Sequence, residues 1–294
     1  MSLNKALNKA LVLGAAFALA CGGGTPSAKN PDNPKTTQAN VDLGPAPAES
    51  DARLAWAIAG AQRSEANRAR DVYRHPKETL EFFGVTKDSR VVELWPGTGW
   101  YTEILAPFLR DSGKLVETNF DPKTAQGEQK EHAEAFDAKL AAAPAIYGKV
   151  EVVRIAPPSS LVLGPDGSAD VVLTFRNFHN WIMGGFAKNV VEAAYKVLKP
   201  GGVFGVVEHR ADAGTDAKTT ADTGYVPEQA IIDMAQAAGF KLAGKSEVNA
   251  NPKDDHKHDG GVWALPPSLR NGDKDRAKYV AIGESDRMTL KFVK

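Results

Sequence analysis

From residue 90 onwards, short apolar runs rich in β-branched residues alternate with segments whose apolar residues recur at helical spacing. This pattern predicts seven strands, over 90–94, 114–119, 149–155, 170–175, 203–208, 240–249 and 287–293. It predicts helices over 52–73, 76–83, 100–109, 122–140, 186–198 and 227–238. Helices separate the first five strands, and this alternation favours an α/β fold, a three-layer αβα sandwich. The last two strands have no obvious helix between them, so we expect a seven-stranded, mostly parallel sheet with an antiparallel last strand.

The pattern before residue 50 is different. Lys5 and Lys9 precede an uncharged apolar stretch over 10–20, and Cys21 follows directly. A basic start, a short apolar stretch and small residues at the end predict a signal peptide over 1–21. As a helix this stretch would span roughly 16 Å, about half of a bilayer core, which disfavours a transmembrane helix.

The residues Ala18-Leu19-Ala20-Cys21-Gly22 resemble a lipobox. Cys21 is therefore the predicted lipidation site, and we expect the protein to be exported and anchored by lipid in the bacterial cell envelope, facing the periplasm. Contact with the membrane would be through that anchor only. Two alternatives remain open: Ala18-Leu19-Ala20 also fits cleavage by ordinary signal peptidase, and the second alternative is an uncleaved anchor.

Residues 22–49 have the composition of a tether. They contain five prolines and a run of three glycines, and they contain no aromatic residue. A segment with so little to bury is expected to be disordered and extended. We therefore predict one folded domain over 50–294, with an N-terminal helical lid over 50–88 and a long insertion over 250–285 before the last strand.

Composition and charge narrow the classes of function. The chain of 294 residues has 36 Lys and Arg against 36 Asp and Glu, so its formal net charge is zero. Without a basic excess, binding to a nucleic-acid backbone is disfavoured. A single cysteine excludes a disulfide framework and a cysteine-based zinc module. We therefore expect a small-molecule partner and no nucleic acid, and the composition leaves the oligomeric state open.

The strongest local signal is the segment 93–99, which joins the first strand to a helix. It reads Glu93-Leu94-Trp95-Pro96-Gly97-Thr98-Gly99, and glycines at such a turn let a ligand approach the backbone closely. The third glycine of a nicotinamide-binding fingerprint is missing, since Thr102 stands in its place, and no Gly-Lys-Ser/Thr follows for a phosphate loop. The segment resembles motif I of class I S-adenosylmethionine-dependent methyltransferases, with Trp95 in place of the first glycine.

The resemblance extends over residues 50–294, which look like a bacterial family of predicted, often exported methyltransferases. The matching stretches are 75–80, 93–97, 175–181, 262–267 and 283–288, and the turn over 198–202 is typical of the wider superfamily. The resemblance implies a Rossmann-like fold and S-adenosyl-L-methionine as cofactor. It implies a methyltransferase that acts by in-line displacement on a small-molecule or envelope-associated acceptor. The alternative is an exported, non-catalytic ligand-binding lipoprotein that keeps this fold.

The same resemblance implies which residues bind the cofactor. The segment around Glu93, Trp95, Gly97 and Gly99 would surround its amino-acid end, and Glu93 would accept a bond from its ammonium group. An acidic residue normally holds the ribose hydroxyls after the second strand, but here that place reads Asn119-Phe120-Asp121. The ribose contact is therefore either the amide of Asn119 or the carboxylate of Asp121. Arg176 and Asn177 follow the fourth strand and complete the predicted set.

Polar residues after the fourth and fifth strands are the candidates for the chemistry. His209 is the first choice for a general base and His179 the second, because an imidazole titrates near neutral pH. The predicted substrate contacts are Tyr73, His75, Asn180 and Arg210. Metal ligands are not among the predictions. The run of acidic and histidine residues over 254–259 has ligand-like chemistry, but we predict a solvated loop there.

Overall fold

A computed structural model describes residues 41–294. The predicted signal peptide, Cys21 and the tether up to residue 40 lie outside the described residues. Between residues 41 and 294, no helix has the length and apolar character needed to cross a membrane.

Seven strands form one sheet. They are β1 (Arg90–Leu94), β2 (Lys114–Phe120), β3 (Glu151–Ile155), β4 (Ala169–Phe175), β5 (Leu198–His209), β6 (Lys241–Ser246) and β7 (Arg287–Val293). Their order is β3-β2-β1-β4-β5-β7-β6, and only β7 runs antiparallel to its neighbours. The strand order reverses between β1 and β4, and open α/β sheets bind ligands at the carboxyl ends of the strands beside such a point.

Twelve α-helices accompany the sheet in the described part of the chain. They are α1 (Ser50–Ala59), α2 (Glu65–Arg68), α3 (Asp71–Arg74), α4 (Pro76–Phe83), α5 (Thr102–Leu109), α6 (Gly127–Ala142), α7 (Pro144–Tyr147), α8 (Phe178–Met183), α9 (Ala187–Val197), α10 (Ala217–Thr220), α11 (Glu228–Ala237) and α12 (Arg276–Ile282). The predicted three-layer αβα sandwich with an antiparallel last strand is confirmed.

Both faces of the sheet are buried. Val92 and Phe204 pack against α8, α9 and α11 on one face, while Val91 and Leu173 pack against α1, α4 and α5 on the other. Successive side chains of a strand point to opposite faces, so a strand covered on both sides needs apolar residues in sequence. This burial explains why the central strands read as uninterrupted apolar runs.

Two predicted connections are wrong. The single helix expected over 52–73 is three short helices, because Gly60 has an extended backbone and Ser64 starts α2 by accepting a bond from the Asn67 amide. Residues 156–168, which link β3 to β4, form no helix, although we expected helices between all of the first five strands. Three prolines in that link lack the backbone N–H that a helix interior requires.

The sequence pattern predicts no helix before the last strand, but α12 lies there. Together with a short 3₁₀ helix over Gly261–Ala264, it gives the insertion its own small apolar cluster around Leu265 and Tyr279. The insertion is therefore a folded element at the carboxyl edge of the sheet.

The structure also changes the limits of the predicted tether over 22–49 and of the predicted helical lid over 50–88. Val41 and Leu43 pack against the core, and the indole N–H of Trp56 donates to the Leu43 carbonyl at 3.1 Å. Residues 41–49 are thus part of the domain, because their apolar partner lies in α1 and not within the segment itself. The lid description does not fit α1 or α4, which are layers of the sandwich: a Cβ added to Gly205 of β5 would lie 2.7 Å from the ring of Phe83.

Replacing Phe83 with Ala should lower the free energy of unfolding by about 3–5 kcal/mol, because a fully buried ring on β5 would leave a cavity. The matched control is Phe82→Ala, which removes a half-buried ring from the same helix and should cost less than half as much. Urea denaturation measures both variants. Equal losses would show that α4 is not a core layer.

Candidate functional site

The two glycines of the loop after β1 have different surroundings. Gly97 and Gly99 have φ of +59° and +83°, a region that favours glycine. A Cβ on Gly99 would meet the Phe136 ring at 3.1 Å and the Thr102 hydroxyl at 3.2 Å, whereas a Cβ on Gly97 would meet nothing within 4 Å. Packing therefore explains Gly99, and Gly97 faces open space at the carboxyl end of the sheet.

Two side chains hold this loop from opposite sides. Asn177, after β4, donates from Nδ2 to the Leu94 carbonyl at 2.9 Å and to the Thr174 hydroxyl at 3.1 Å. Lys139, on α6, donates to the Thr98 carbonyl at 2.9 Å and to Glu103 Oε1 at 2.6 Å. Asn177, predicted as a cofactor contact, is thus a positioning residue for the loop. Lys139 was missed, because nothing in its polar helix distinguishes it from the surface lysines nearby.

Trp95 has the left-handed backbone of the glycine that it replaces, with φ of +49°. Its half-buried ring lies 5.0 Å from Trp181, 5.9 Å from Phe120 and 6.5 Å from Phe186, measured between ring centroids. Trp95 therefore joins an aromatic group at the carboxyl ends of β1 and β2. This packing stabilises a conformation that is unfavourable for a bulky residue.

Asn119 and Asp121 have different roles after β2. Asn119 is 4% exposed, and its Oδ1 accepts the Phe120 amide at 2.8 Å. Its Nδ2 is buried without a hydrogen-bond partner in residues 41–294. An amide group in that state costs free energy unless an acceptor reaches it. Asp121 instead accepts the Lys123 amide at 2.9 Å, and so shapes the turn before α6.

Glu93 lies beside a second carboxyl group that sequence analysis missed. Glu117 of β2 is its register partner across the β1–β2 pair, and both side chains are buried. The Thr102 hydroxyl is 2.9 Å from Glu117 Oε1 and 3.5 Å from Glu93 Oε2. Burial raises the pKa of Glu93 to about 7, and it raises the pKa of Glu117 well above its ordinary value. A charged residue inside an apolar strand was the available signal for Glu117.

The two predicted bases meet around Glu208, which is fully buried at the end of β5. Its carboxylate accepts the Phe178 amide at 2.6 Å and the His209 amide at 2.9 Å. His179 Nδ1 lies 3.1 Å from Glu208 Oε1, and the two imidazole centroids are 5.7 Å apart. Glu208 was not predicted, yet it sets the positions of both histidines.

His209 is neutral at pH 7. Burial is the main cause, and the neighbouring charges of Arg176 and Arg287 also lower the pKa of His209 well below its ordinary value. His209 Nδ1 lies 2.5 Å from the Ser285 hydroxyl. A neutral imidazole can accept a proton, so the geometry is compatible with a general base.

Arg176 lies between the loop and the histidines. It follows β4 with φ of +61°. Its charge lowers the pKa of Glu93, against the larger effect of burial, and it contributes to the lowered pKa of His209. Arg176 is therefore the residue that connects the predicted cofactor end with the predicted base.

The four predicted substrate contacts do not form one group. Arg210 bonds Glu247 Oε2 at 2.6 Å and lies 3.5 Å from Asp286, so it links the ends of β5, β6 and β7. Asn180 is exposed on α8. His75 lies at the corner between α3 and α4, with φ of +39°. Tyr73 is 38% exposed, and a Cβ on Gly283 would lie 2.6 Å from its ring, so it borders the insertion.

Three arginines surround Glu284 near His209, and they join the region of α3 to the start of β7. Glu284 accepts Arg70 at 2.5 Å, Arg74 at 3.3 Å and Arg287 at 3.1 Å. Burial would raise the pKa of Glu284, but the charges of these arginines hold the pKa below its ordinary value. Residues far apart in the chain make this cluster, which is why the sequence pattern did not reveal it.

The predicted solvated loop over 254–259 is wrong in part, because Asp254 and His258 are buried while Asp255, Lys257 and Asp259 are exposed. Asp254 accepts the Tyr225 hydroxyl, the amides of His256 and Asp286, and His258 Nε2, over 2.7–3.1 Å. Ligand atoms of Asp254, Asp255 and His258 lie within 4.8 Å of one another. The carboxylate of Asp254 therefore has several donors, and its hydrogen bonds hold the insertion onto Tyr225 and onto Asp286, the residue before β7.

Comparison with solved structures assigns the fold. A putative sarcosine dimethylglycine methyltransferase from Galdieria sulphuraria is similar at 12% identity and a TM-score of 0.51, over 87% of this chain and 93% of that one. A SAM-dependent methyltransferase from Aquifex aeolicus gives 16% identity, a TM-score of 0.48, and 76% and 92% coverage. No protein-family model and no curated protein matches. The chain has the fold of class I S-adenosylmethionine-dependent methyltransferases.

His256 gives a pH test of the folded insertion. Its bonds to Asp286 at 3.4 Å and Asp212 at 2.8 Å raise the pKa of His256 to about 9, although partial burial by itself would lower that pKa. A raised pKa stabilises the fold below the ordinary pKa near 6.5, and this contribution is lost as the pH rises through 9. The free energy of unfolding should therefore fall more steeply between pH 6 and 10 in the wild type than in His256→Gln.

Urea denaturation at several pH values measures this difference. The control is His132→Gln on the exposed face of α6, which should keep the wild-type slope. Identical slopes for all three proteins would show that the His256 ion pairs do not form.

Proposed function

We propose that this protein is an S-adenosylmethionine-dependent methyltransferase acting on a small-molecule or envelope-associated acceptor. Two observations carry the proposal: Gly97 faces open space in the loop after β1, at the switch point of this fold, and Asn119 Nδ2, near the end of the neighbouring β2, is buried without a hydrogen-bond partner in residues 41–294. A tight glycine loop and a nearby amide donor suit an amino-acid group linked to a ribose. The methyltransferase fold supports the same conclusion.

The described residues fit this cofactor. The backbone of 97–99 and the carboxyl group of Glu93 would hold its amino-acid end, and Asn119 Nδ2 would donate to a ribose hydroxyl. Trp95 and Phe120 would flank the bound molecule with aromatic surface. When bound, the cofactor supplies an electrophilic methyl group on a sulfonium. The protein then has to align the acceptor with that methyl group and exclude water, so positioning should provide most of the rate gain.

The acceptor end of the site is at His209. With Nδ1–H donating to the Ser285 hydroxyl, Nε2 keeps a lone pair that can take a proton from the acceptor. Glu208 fixes the backbone of His209 and the ring of His179, so both imidazoles are held before the acceptor binds. Ser285 of the insertion bonds His209, so the insertion borders this end of the site.

We also propose export to the cell envelope, with lipid attachment at Cys21, on the composition of residues 1–21. The zero net charge supports an acceptor that is small or modestly charged rather than a nucleic acid. An exported enzyme needs a supply of the methyl donor outside the cytosol, so turnover has to be tested as well as binding. Binding without turnover, over a broad acceptor screen, would instead favour the ligand-binding lipoprotein.

Gly97→Ala should weaken cofactor binding at least tenfold, because the added Cβ points into the proposed binding space. The matched control is Gly167→Ala, since Gly167 also has a positive φ, of +63°, and open space around it, but lies in the β3–β4 link. The backbone strain should be similar in both variants, about 1 kcal/mol. Calorimetric titration of the full-length chain with S-adenosylmethionine and its demethylated product measures affinity.

The outcomes separate the possibilities. Retained binding in Gly167→Ala with loss in Gly97→Ala supports the proposed site. Absence of binding by the wild type to either ligand would overturn the cofactor assignment. Equal weakening in both variants would mean that strain, and not contact, is responsible.

His209→Asn should lower methyl transfer by about 10²–10⁴-fold while leaving cofactor affinity unchanged, because it removes the proposed base but preserves a polar side chain. A labelled methyl donor incubated with a metabolite and envelope extract first identifies the acceptor and then measures the rate. His132→Asn is the control. If His179→Asn has the larger effect, the base is His179, and an acceptor without an ionisable proton would make both effects small.

A further inference from the structure

Two carboxyl groups lie side by side beneath the loop after β1. Glu93 and Glu117 are register partners on neighbouring parallel strands, so their side chains point to the same face of the sheet. Glu93 is 2% exposed and Glu117 is fully buried. Their neighbours across the next strands are Leu173 and Val152, which bring no charge to the pair.

The hydrogen bonds around this pair are too few for two charges. The Thr102 hydroxyl carries one hydrogen, and its shorter contact is to Glu117 Oε1. Glu117 Oε2 is buried and has no hydrogen-bond partner in the described chain. Two neighbouring buried carboxylates that share one hydroxyl cannot both be ionised without a large cost in free energy. One proton between them is therefore the favourable state.

The charged groups that face the pair come from three elements. Lys139 of α6 lies nearby, but it bonds Glu103 of α5 and the loop carbonyls. Arg176 faces the pair from the end of β4, and its charge acts on Glu93. If Glu93, Glu117 and Glu103 were all ionised, their three negative charges would exceed the two positive charges by one. One more positive charge would therefore be needed before both carboxyl groups of the pair ionise.

We propose that Glu93 and Glu117 share one proton in the free protein and release it to solvent when the ammonium end of S-adenosylmethionine binds above them. Glu117 is then a further determinant of cofactor affinity, although it does not touch the cofactor. The inference rests on the proposed function, because the arriving cation is the cofactor. No covalent bond of the cofactor changes in this step; one O–H bond of the pair breaks, and a buffer base takes the proton.

The expected pH dependence follows from the direction of proton movement. Burial raises the pKa of Glu93, and burial together with the charge of Glu93 raises the pKa of Glu117 well above its ordinary value, so the pair keeps its shared proton from pH 5.5 to pH 7.0 and binding there must expel it. Affinity should therefore rise at least tenfold from pH 5.5 to pH 7.0. Over this range an α-amino group, with an ordinary pKa near 8, stays charged, so the ligand itself does not supply the effect.

The test is calorimetry on the full-length chain with S-adenosylmethionine at pH 6.5, in buffers of different ionisation enthalpy. The wild type should release close to one proton per cofactor. Glu117→Gln keeps the shape and the Thr102 contact but leaves Glu93 as the single carboxyl group of the pair. It should release less than half a proton, and its affinity should change less than about threefold between pH 5.5 and 7.0. Glu128→Gln, exposed on α6, is the matched control and should behave as the wild type.

Each result decides something different. Wild-type binding without proton release overturns the shared proton and leaves the proposed function intact. Absence of binding by both S-adenosylmethionine and its demethylated product overturns the proposed function and this inference with it. If Glu117→Gln does not fold, infrared difference spectroscopy of the wild type replaces it, since the carbonyl band of a protonated carboxyl group should disappear on cofactor binding. Persistence of that band would overturn the inference.

Discussion

Charged groups at the carboxyl edge of the sheet are buried, and each of them has to be hydrogen-bonded or neutralised where water does not reach. Glu208 meets this requirement with two backbone amides and an imidazole. Glu284 meets it with three arginines, and Asp254 meets it with donors that include the Tyr225 hydroxyl and the Asp286 amide. These contacts fix the ends of β4, β5 and β7 relative to one another. The site between those ends therefore keeps its shape before any ligand binds.

This constraint connects the fold with the chemistry that we propose. A transfer between a bound donor and a bound acceptor depends mainly on alignment, so a rigid edge is more useful than any one reactive side chain. The same burial that keeps His209 neutral also places a shared proton on Glu93 and Glu117. Burial thus keeps His209 in the neutral form that can accept a proton. At the other end of the site, burial makes the protonation of Glu93 and Glu117 sensitive to an arriving positive charge.

Much of the fold could be predicted from the sequence, because strands buried on both faces carry an uninterrupted apolar pattern. The apolar runs after residue 90 and the glycine loop predict a site at the carboxyl edge of the sheet, where Gly97 faces open space in the structure. Other features could not be predicted from local sequence patterns. Residues 41–49 look like a tether until Leu43 meets Trp56, and the run over 254–259 looks solvated until Tyr225 covers Asp254.

The sequence by itself determined the α/β class, the seven strands, and a glycine-rich turn at the carboxyl end of the first of them. Those properties depend on hydrophobic periodicity and turn chemistry, which act over a few residues. Only the tertiary structure decided which charged groups share a site: Glu117 with Glu93, Lys139 with the loop, and Glu208 with both histidines. A charge is paired by whatever folds against it, and Arg70 and Glu284 show that the partner can be more than two hundred residues away.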